Sequence, residues 1–179
     1  VDKELSFSVA ELKKAFPAVT VQGMMECAGS GRSSYVPPAS GTRWLPTGGM
    51  GCPNWTGVRL RDVLQAAGLK SSAVHTGHYS ADPHLTGDPD KPSTSRGMPI
   101  AKAMEDHSLI VWAMNGEPLP NIHGFPVRLV IPGWPGSLSN KWLRRIWVRD
   151  KVHDGAGMGG TSYSVAVKPM IPGGKADDK

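Results

Sequence analysis

Cysteine is scarce in this chain: there are two, Cys27 and Cys52, in 179 residues. Two thiols cannot build a disulfide framework, although a single Cys27–Cys52 bridge stays open in an oxidising compartment. No apolar run approaches the roughly 20 residues of a membrane span, so none is expected. The N-terminus, Val1-Asp2-Lys3-Glu4, lacks the charged-then-apolar pattern of a signal peptide. It also lacks an initiating Met, so the chain reads as a processed or excised piece. Aromatic residues are few, at 7%. Neither sign of charge dominates: 20 Lys and Arg face 15 Asp and Glu, for a net +5. That balance suits a small anionic ligand and is modest for a nucleic-acid partner, which is not expected.

What is abundant is Gly, at 22, and Pro, at 16, together about a fifth of the chain. Such a count argues against a helical bundle and for a loop-rich α+β fold. With 39% hydrophobic and 20% charged residues the composition is that of a globular domain able to bury its own core.

Ser8-Val9-Ala10-Glu11 fits a capping box and predicts a short helix through about Lys14, ended by Pro17. Val19 and Val21 alternate with Thr20 and Gln22, predicting a strand that runs on through Met24-Met25 to Cys27. Residues 32–51 read as a long ordered loop. Val58 to Leu69 predicts a helix stopped by Gly68. A strand is predicted from Ala73 to Tyr79, a turn-rich stretch from Ser80 to Met98, and a short helix from Pro99 to about Met104. Leu109 to Met114 is a near-continuous apolar strand followed by Asn115-Gly116, a hairpin signal. Further strands are predicted over 125–131 and 142–148. The basic run Lys141 to Lys151 is read as a strand with a charged outer face. From His153 onward the periodicity is lost.

Several residues could carry chemistry. Cys27 sits where a strand opens into Ala28-Gly29-Ser30-Gly31, a loop whose backbone N–H groups can approach an anion. Its thiolate could bind a soft transition metal, act as a nucleophile, or be an inert buried Cys. Arg32 nearby would favour the charged form of the thiol. Cys52 has no second ligand at metal spacing and is expected to be a small core residue. His75 and His78 are three apart, which on a strand points them to opposite faces, so a zinc site would need a bend. Asp82 is either a turn residue or an acceptor for a polar ligand. Arg128, inside an apolar strand close after His123, needs a partner: a ligand phosphate or a protein carboxylate. Gly136-Ser137-Leu138-Ser139-Asn140-Lys141 supplies hydroxyl, amide and ammonium donors.

The order of these blocks is similar to that of the sulfite oxidase family of molybdenum enzymes. Glu26-Cys27-Ala28-Gly29-Ser30-Gly31-Arg32 resembles its cysteine loop. Asn54 to Leu64 resembles its next block. Met114 to Pro120, His123 to Arg128, Pro132-Gly133 and Lys141-Trp142-Leu143 resemble its third. The likeness runs from about residue 5 to residue 150 and is greatest to bacterial, periplasmic sulfite dehydrogenase-like members. It implies a β-rich α+β molybdopterin-binding domain over residues 1–152, with 153–179 as a linker toward a dimerisation domain beyond this chain. It implies molybdenum with molybdopterin as cofactor, Cys27 as the thiolate on the metal, and Arg32 as the residue that holds the oxyanion. Asp82, His123, Arg128, Ser139, Asn140 and Lys141 would hold the pterin and its phosphate. The implied reaction is oxygen-atom transfer to sulfite, with electrons passed to a cytochrome c or heme acceptor, in the periplasm. A homodimer would form through a segment not present here, and a basic cofactor segment would precede Val1. Thr94 stands where family members carry an active-site tyrosine, which leaves the substrate open. Two other readings are a cofactor-free remnant of such an enzyme and a Cys27-dependent hydrolase, which would need an adjacent base.

Overall fold

The computed structural model describes residues 1–30, 48–91 and 93–158. In chain order the elements begin with α1 (Val9–Ala15), β1 (Val19–Gln22), β2 (Met25–Glu26), β3 (Met50–Gly51), β4 (Asn54–Arg59), α2 (Leu60–Ala66) and β5 (His75–Ser80). They continue with β6 (Arg96–Pro99), α3 (Ile100–Ala103), β7 (Leu109–Met114), β8 (Glu117–Pro118), β9 (Arg128–Val130) and β10 (Leu143–Arg149). Short 3-10 turns cover Asn121–His123 and Gly136–Leu138. This is the expected β-rich α+β architecture.

The capping box forms as the sequence predicts. Glu11 N donates to Ser8 Oγ at 3.2 Å, and Ser8 N donates to the Glu11 carboxylate at 2.7 Å. The first strand is shorter than predicted. It stops at Gln22 because Gly23 turns inward: its carbonyl accepts from Trp55 Nε1 at 3.0 Å, and Pro132 leaves little room for a side chain there. Met25 and Glu26 then pair with β3 in a separate two-stranded ribbon that carries Cys27 at its end.

A five-stranded sheet runs β1-β4-β7-β8, with β9 also paired to β7. Its centre explains the near-continuous apolar run of β7. Ile110 packs with Val58 and Leu129 in one core cluster, while Leu109 and Val111 pack with Trp55, Leu119 and Val130 in the other. Alternate side chains of a strand point to opposite faces, so a strand buried on both faces loses its polar alternation. Val58 belongs to this sheet, paired with Ile110, and so the helix predicted from Val58 starts only at Leu60.

The second sheet has the order β10-β5-β6. β6 lies inside the stretch predicted as turns. The outer face of β10 is as charged as expected at Arg144 and Arg145, while Ile146 and Val148 pack on the core. Arg149 is the exception, buried at 8% exposure. It is covered by residues after the expected boundary at 152: His153 is 2% exposed and lies against Gly77 of β5 and Gly97 of β6. Folded structure therefore continues past that boundary through residue 158, and residues 159–179 lie outside the described part. Cys52, expected in the core, is exposed.

Candidate cofactor site

The loop between β9 and β10 is tied down at both ends. Leu129 N donates to Asn140 O at 2.9 Å, Ile131 N donates to Ser139 Oγ at 3.0 Å, and Leu143 N donates to Val127 O at 2.9 Å. Leu138 anchors it in the core. What remains exposed to a cavity of about 230 Å³ is a set of polar groups: Ser137, Ser139, Asn140 and Lys141 from this loop, Arg128 from β9, and Ser80 and Asp82 from the end of β5. Thr94 and Arg96 close it from the start of β6. Five of the eight residues singled out from the sequence thus line one cavity: Asp82, Arg128, Ser139, Asn140 and Lys141.

Arg128 is 5% exposed, and its fork is spent on neutral acceptors. Nε donates to Leu129 O at 3.3 Å, Nη1 to His123 O at 3.0 Å, and Nη2 to Ser139 O at 2.7 Å. Nη2 also reaches Met25 Sδ at 3.3 Å. None of the carboxylates among the described residues pairs with it, which decides between the two partners left open by the sequence: carbonyls fix its direction and leave its charge for a ligand. Burial pulls its pKa down to about 10, so the guanidinium is still charged at neutral pH. Lys141 Nζ donates to Ile122 O at 3.0 Å and lies 4.3 Å from the Trp142 ring centre. Again no carboxylate among the described residues pairs with it.

His123 is placed differently from the other candidates. Its side chain is exposed on the 3-10 turn and is not part of the cavity wall; its carbonyl holds Arg128. Cys27 is half-buried, with Gly29 N donating to Sγ at 3.4 Å. It is brought beside the donor loop by a parallel backbone bridge between Glu26 and Pro135. Arg32 lies outside the described residues.

Ser137 Oγ, buried in the cavity wall, has no hydrogen-bond partner among the described residues. Asn140 Nδ2 donates to Ser80 Oγ at 3.2 Å, and the same side chain bonds the buried His78 ring, so the amide is fixed in the cavity wall. Orphaned buried polar atoms are costly unless a ligand completes them. A pterin carrying ring N–H groups and a phosphate offers both kinds of complement. The hydroxyl and the cations suit phosphate oxygens, and the Asp82 carboxylate suits an N–H donor. The volume is below the roughly 300 Å³ at which small-molecule pockets begin, so the cavity accommodates one end of such a group and not all of it. The donor set therefore fits the implied cofactor, with the thiol a short loop away.

Ser137 and Arg96 were not picked out from the sequence. Ser137 lay within a segment recognised as donor-rich, and only its orphaned hydroxyl distinguishes it from Ser139, whose hydroxyl is already used. Arg96 sat in a run of turn residues with no visible strand period.

A family model described as the oxidoreductase molybdopterin binding domain matches residues 1–156. The sulfite oxidase of Gallus gallus is 38% identical over 150 residues, covering 82% of this chain and 32% of that protein. The mitochondrial sulfite oxidase of Mus musculus is 39% identical over 155 residues, covering 83% and 27%. The NAD(P)H nitrate reductase of Hordeum vulgare is 36% identical over 152 residues, covering 83% and 17%. The crystal structure of the sulfane dehydrogenase SoxCD from Paracoccus pantotrophus is similar with a TM-score of 0.70 at 32% identity, covering 84% of this chain and 36% of that one. The chain spans about a third or less of the length of these relatives.

Proposed function

This chain belongs to the oxidoreductase molybdopterin-binding domain family, and from that premise we propose that it is the cofactor-holding part of an enzyme that oxidises sulfite, or a related sulfur oxyanion, to sulfate. The cofactor class of the family is molybdenum with molybdopterin. The overall reaction takes sulfite and water to sulfate, two protons and two electrons, and the electrons leave singly for a cytochrome or heme acceptor. Molybdenum, when bound, supplies the oxygen-atom transfer and two-electron chemistry that no side chain offers.

The protein's own part is to bind and orient. Cys27 is the thiol that the Glu26–Pro135 bridge brings beside the donor loop, and it is the proposed metal ligand; Cys52 is exposed. Arg128 and Lys141 present undischarged cations to a phosphate, with the Ser137 hydroxyl as a further donor. Asp82 offers acceptor oxygens to pterin N–H groups, and the Asn140 amide, held by Ser80 and His78, lines the same wall. Ser139 and His123 act through Arg128: their carbonyls hold its fork, while the Ser139 hydroxyl is used on Ile131 N. Arg32 is proposed to hold the oxyanion substrate. Thr94 lines the cavity but cannot furnish a phenol, so the proton and substrate details need not follow the tyrosine-bearing relatives.

The observation that carries this reading is the cavity itself, cationic and holding the orphaned Ser137 hydroxyl, joined to the Cys27 loop through the Glu26–Pro135 bridge. The test is metal and pterin analysis of the intact parent protein, followed by sulfite-dependent reduction of a cytochrome. About one molybdenum per chain and sulfite-dependent turnover are expected, both lost in Cys27→Ser and both kept in Cys52→Ser. A Cys27→Ser protein that keeps its molybdenum and its turnover would overturn the assignment.

A further inference from the structure

β10 lies at the edge of its sheet: the order is β10-β5-β6, and among the described residues no strand pairs with its other side. An edge strand presents a row of N–H and C=O groups away from its partner, and such a row is a template for one more strand. A groove of about 840 Å³ is lined by six consecutive residues of this strand, Leu143 to Val148. Successive side chains of a strand point to opposite faces. A groove that meets six in a row therefore runs along the edge of β10 and not over one of its faces. It reaches the core, because the buried residues Leu12, Leu64 and Ile110 also line it. The N-terminal stretch that contributes Lys3 and Glu4 to it is pinned to the end of α2, where Asp2 N donates to Ala67 O at 3.1 Å and to Gly68 O at 2.8 Å.

The chemistry of the strand differs between its two faces. Ile146 and Val148 pack on the core. Arg145 and Trp147 lie on the other face, both exposed, with the guanidinium carbon 5.3 Å from the indole ring centre. Lys3, Arg144 and Arg145 line the groove against one carboxylate, Glu4. None of the three cations forms an ion pair with a carboxylate of the described residues. A second copy of this chain, set edge to edge on β10, would bring the same two arginines into the contact. Like charges facing each other across a strand pair are destabilising. The cations thus oppose self-pairing and favour a strand of the opposite sign.

We infer that the free edge of β10 is a docking site for an extended acidic segment of a partner polypeptide, which adds to the sheet as a fourth strand. Backbone hydrogen bonds supply the attachment in this mode, and alternate side chains supply the selection. One set of the partner's side chains is apolar and lies beside Ile146 and Val148 in the groove. The other set is acidic and meets Arg145, with Arg144 at the end of the strand.

The experiment uses the full chain and calorimetry, with a capped peptide that alternates valine and glutamate as the probe. The same peptide with lysine for glutamate is the charge control. The full chain should bind the glutamate peptide and discriminate against the lysine peptide. Arg144→Glu and Arg145→Glu together should weaken the glutamate peptide about tenfold or more and reverse the preference. Both positions are exposed, so the thermal midpoint should stay close to that of wild type and separate lost binding from lost folding. Two further peptides test the backbone. In a strand, alternate N–H groups point to opposite sides, so methylating the nitrogens of the valines or of the glutamates blocks one side at a time. One of the two methylated peptides should lose binding and the other should keep it. No binding of the glutamate peptide by wild type, or equal affinity for the glutamate and lysine peptides, overturns the inference. Equal affinity for the two methylated peptides means that side chains alone fill the groove, and overturns strand addition. A dimer of the free chain that the peptide dissociates assigns the edge to a second copy and overturns the acidic partner.

Discussion

Glu26 and Pro135 pair through their backbones in a parallel bridge, and this contact joins the cysteine loop to the donor loop. Gly136, the next residue, sits against it. A Cβ there would lie 2.9 Å from Glu26 O and 3.4 Å from Met25 Cγ. The clash is with backbone, which cannot rotate away. Gly136→Ala is expected to cost roughly 1–3 kcal/mol of stability, as overpacking does, and to lower molybdenum content by separating Cys27 from the cavity. Metal analysis beside a denaturation midpoint checks it. Full metal loading at an unchanged midpoint would show that the bridge does not position the thiol.

Arg128 serves two purposes that substitutions can separate. Its fork satisfies the carbonyls of His123, Leu129 and Ser139, and its charge faces the cavity. Arg128→Met strands the three carbonyls and removes the charge, so both stability and cofactor retention should fall, stability by about 3 kcal/mol. Arg128→Lys keeps a charge but loses the planar fork. It should retain more cofactor than the Met variant while being nearly as destabilised. Equal cofactor content in the two variants would argue that the fork, not the charge, is what the cavity uses.

Acid should unfold this domain through its histidines. His78 is fully buried, with Nε2 2.8 Å from Thr76 Oγ1. Burial, then the neighbouring His153 and His75, hold its pKa down at about 3, against a smaller upward pull from the Asn140 side chain. His75 and His153 are lowered as well, each chiefly by burial. Between about pH 6.5 and 3 the unfolded chain therefore binds more protons than the folded one, and stability falls as pH falls through that window. For His78 alone the loss across the whole window is on the order of 5 kcal/mol. Denaturant midpoints should be flat above about pH 7 and decline steadily below 6.5. His78→Phe should shallow that decline. An identical pH profile in the variant would remove His78 from the account.

The parts of this fold legible in the sequence were those set by local chemistry. The Ser8–Glu11 box, the Asn115-Gly116 turn and the apolar run of β7 all formed as read, because each is decided within a few residues. The cavity was legible as residue types in family order, and five of those residues converge on it. What could not be read was decided at long range. Gly23 ends β1 because Trp55, distant in sequence, donates to its carbonyl. Val58 is strand and not helix because Ile110 pairs with it. β6 hid among turn residues, and with it Arg96. The loss of periodicity after 152 suggested a linker, but His153 is fixed by Ser95 and Arg149. Nothing local in His153-Asp154-Gly155-Ala156-Gly157 announces that.

The slot that receives His153 gives the sharpest stability test. Gly77 and Gly97 face each other across β5 and β6, and the imidazole lies on both. The three atoms nearest a Cβ at Gly77 all belong to that ring, Nδ1 at 2.5 Å first, whereas a Cβ at Gly97 would meet His153 Cβ at 2.6 Å and the carbonyl oxygen of Thr76 as well. Gly77→Ala and Gly97→Ala should each destabilise the domain by roughly 1–3 kcal/mol or more. His153→Ala removes the three nearest obstacles at Gly77, but not the Thr76 carbonyl at Gly97. In the His153→Ala background Gly77→Ala should therefore cost less than about 0.5 kcal/mol, the limit within which independent sites add, while Gly97→Ala should remain costly. Denaturant midpoints of the four single and double alanine variants beside wild type and His153→Ala complete both cycles. Rescue at Gly97 equal to that at Gly77 would mean that the ring, and not the strand pairing, dictates glycine at both positions. No rescue at Gly77 would mean that His153 does not occupy the slot in solution.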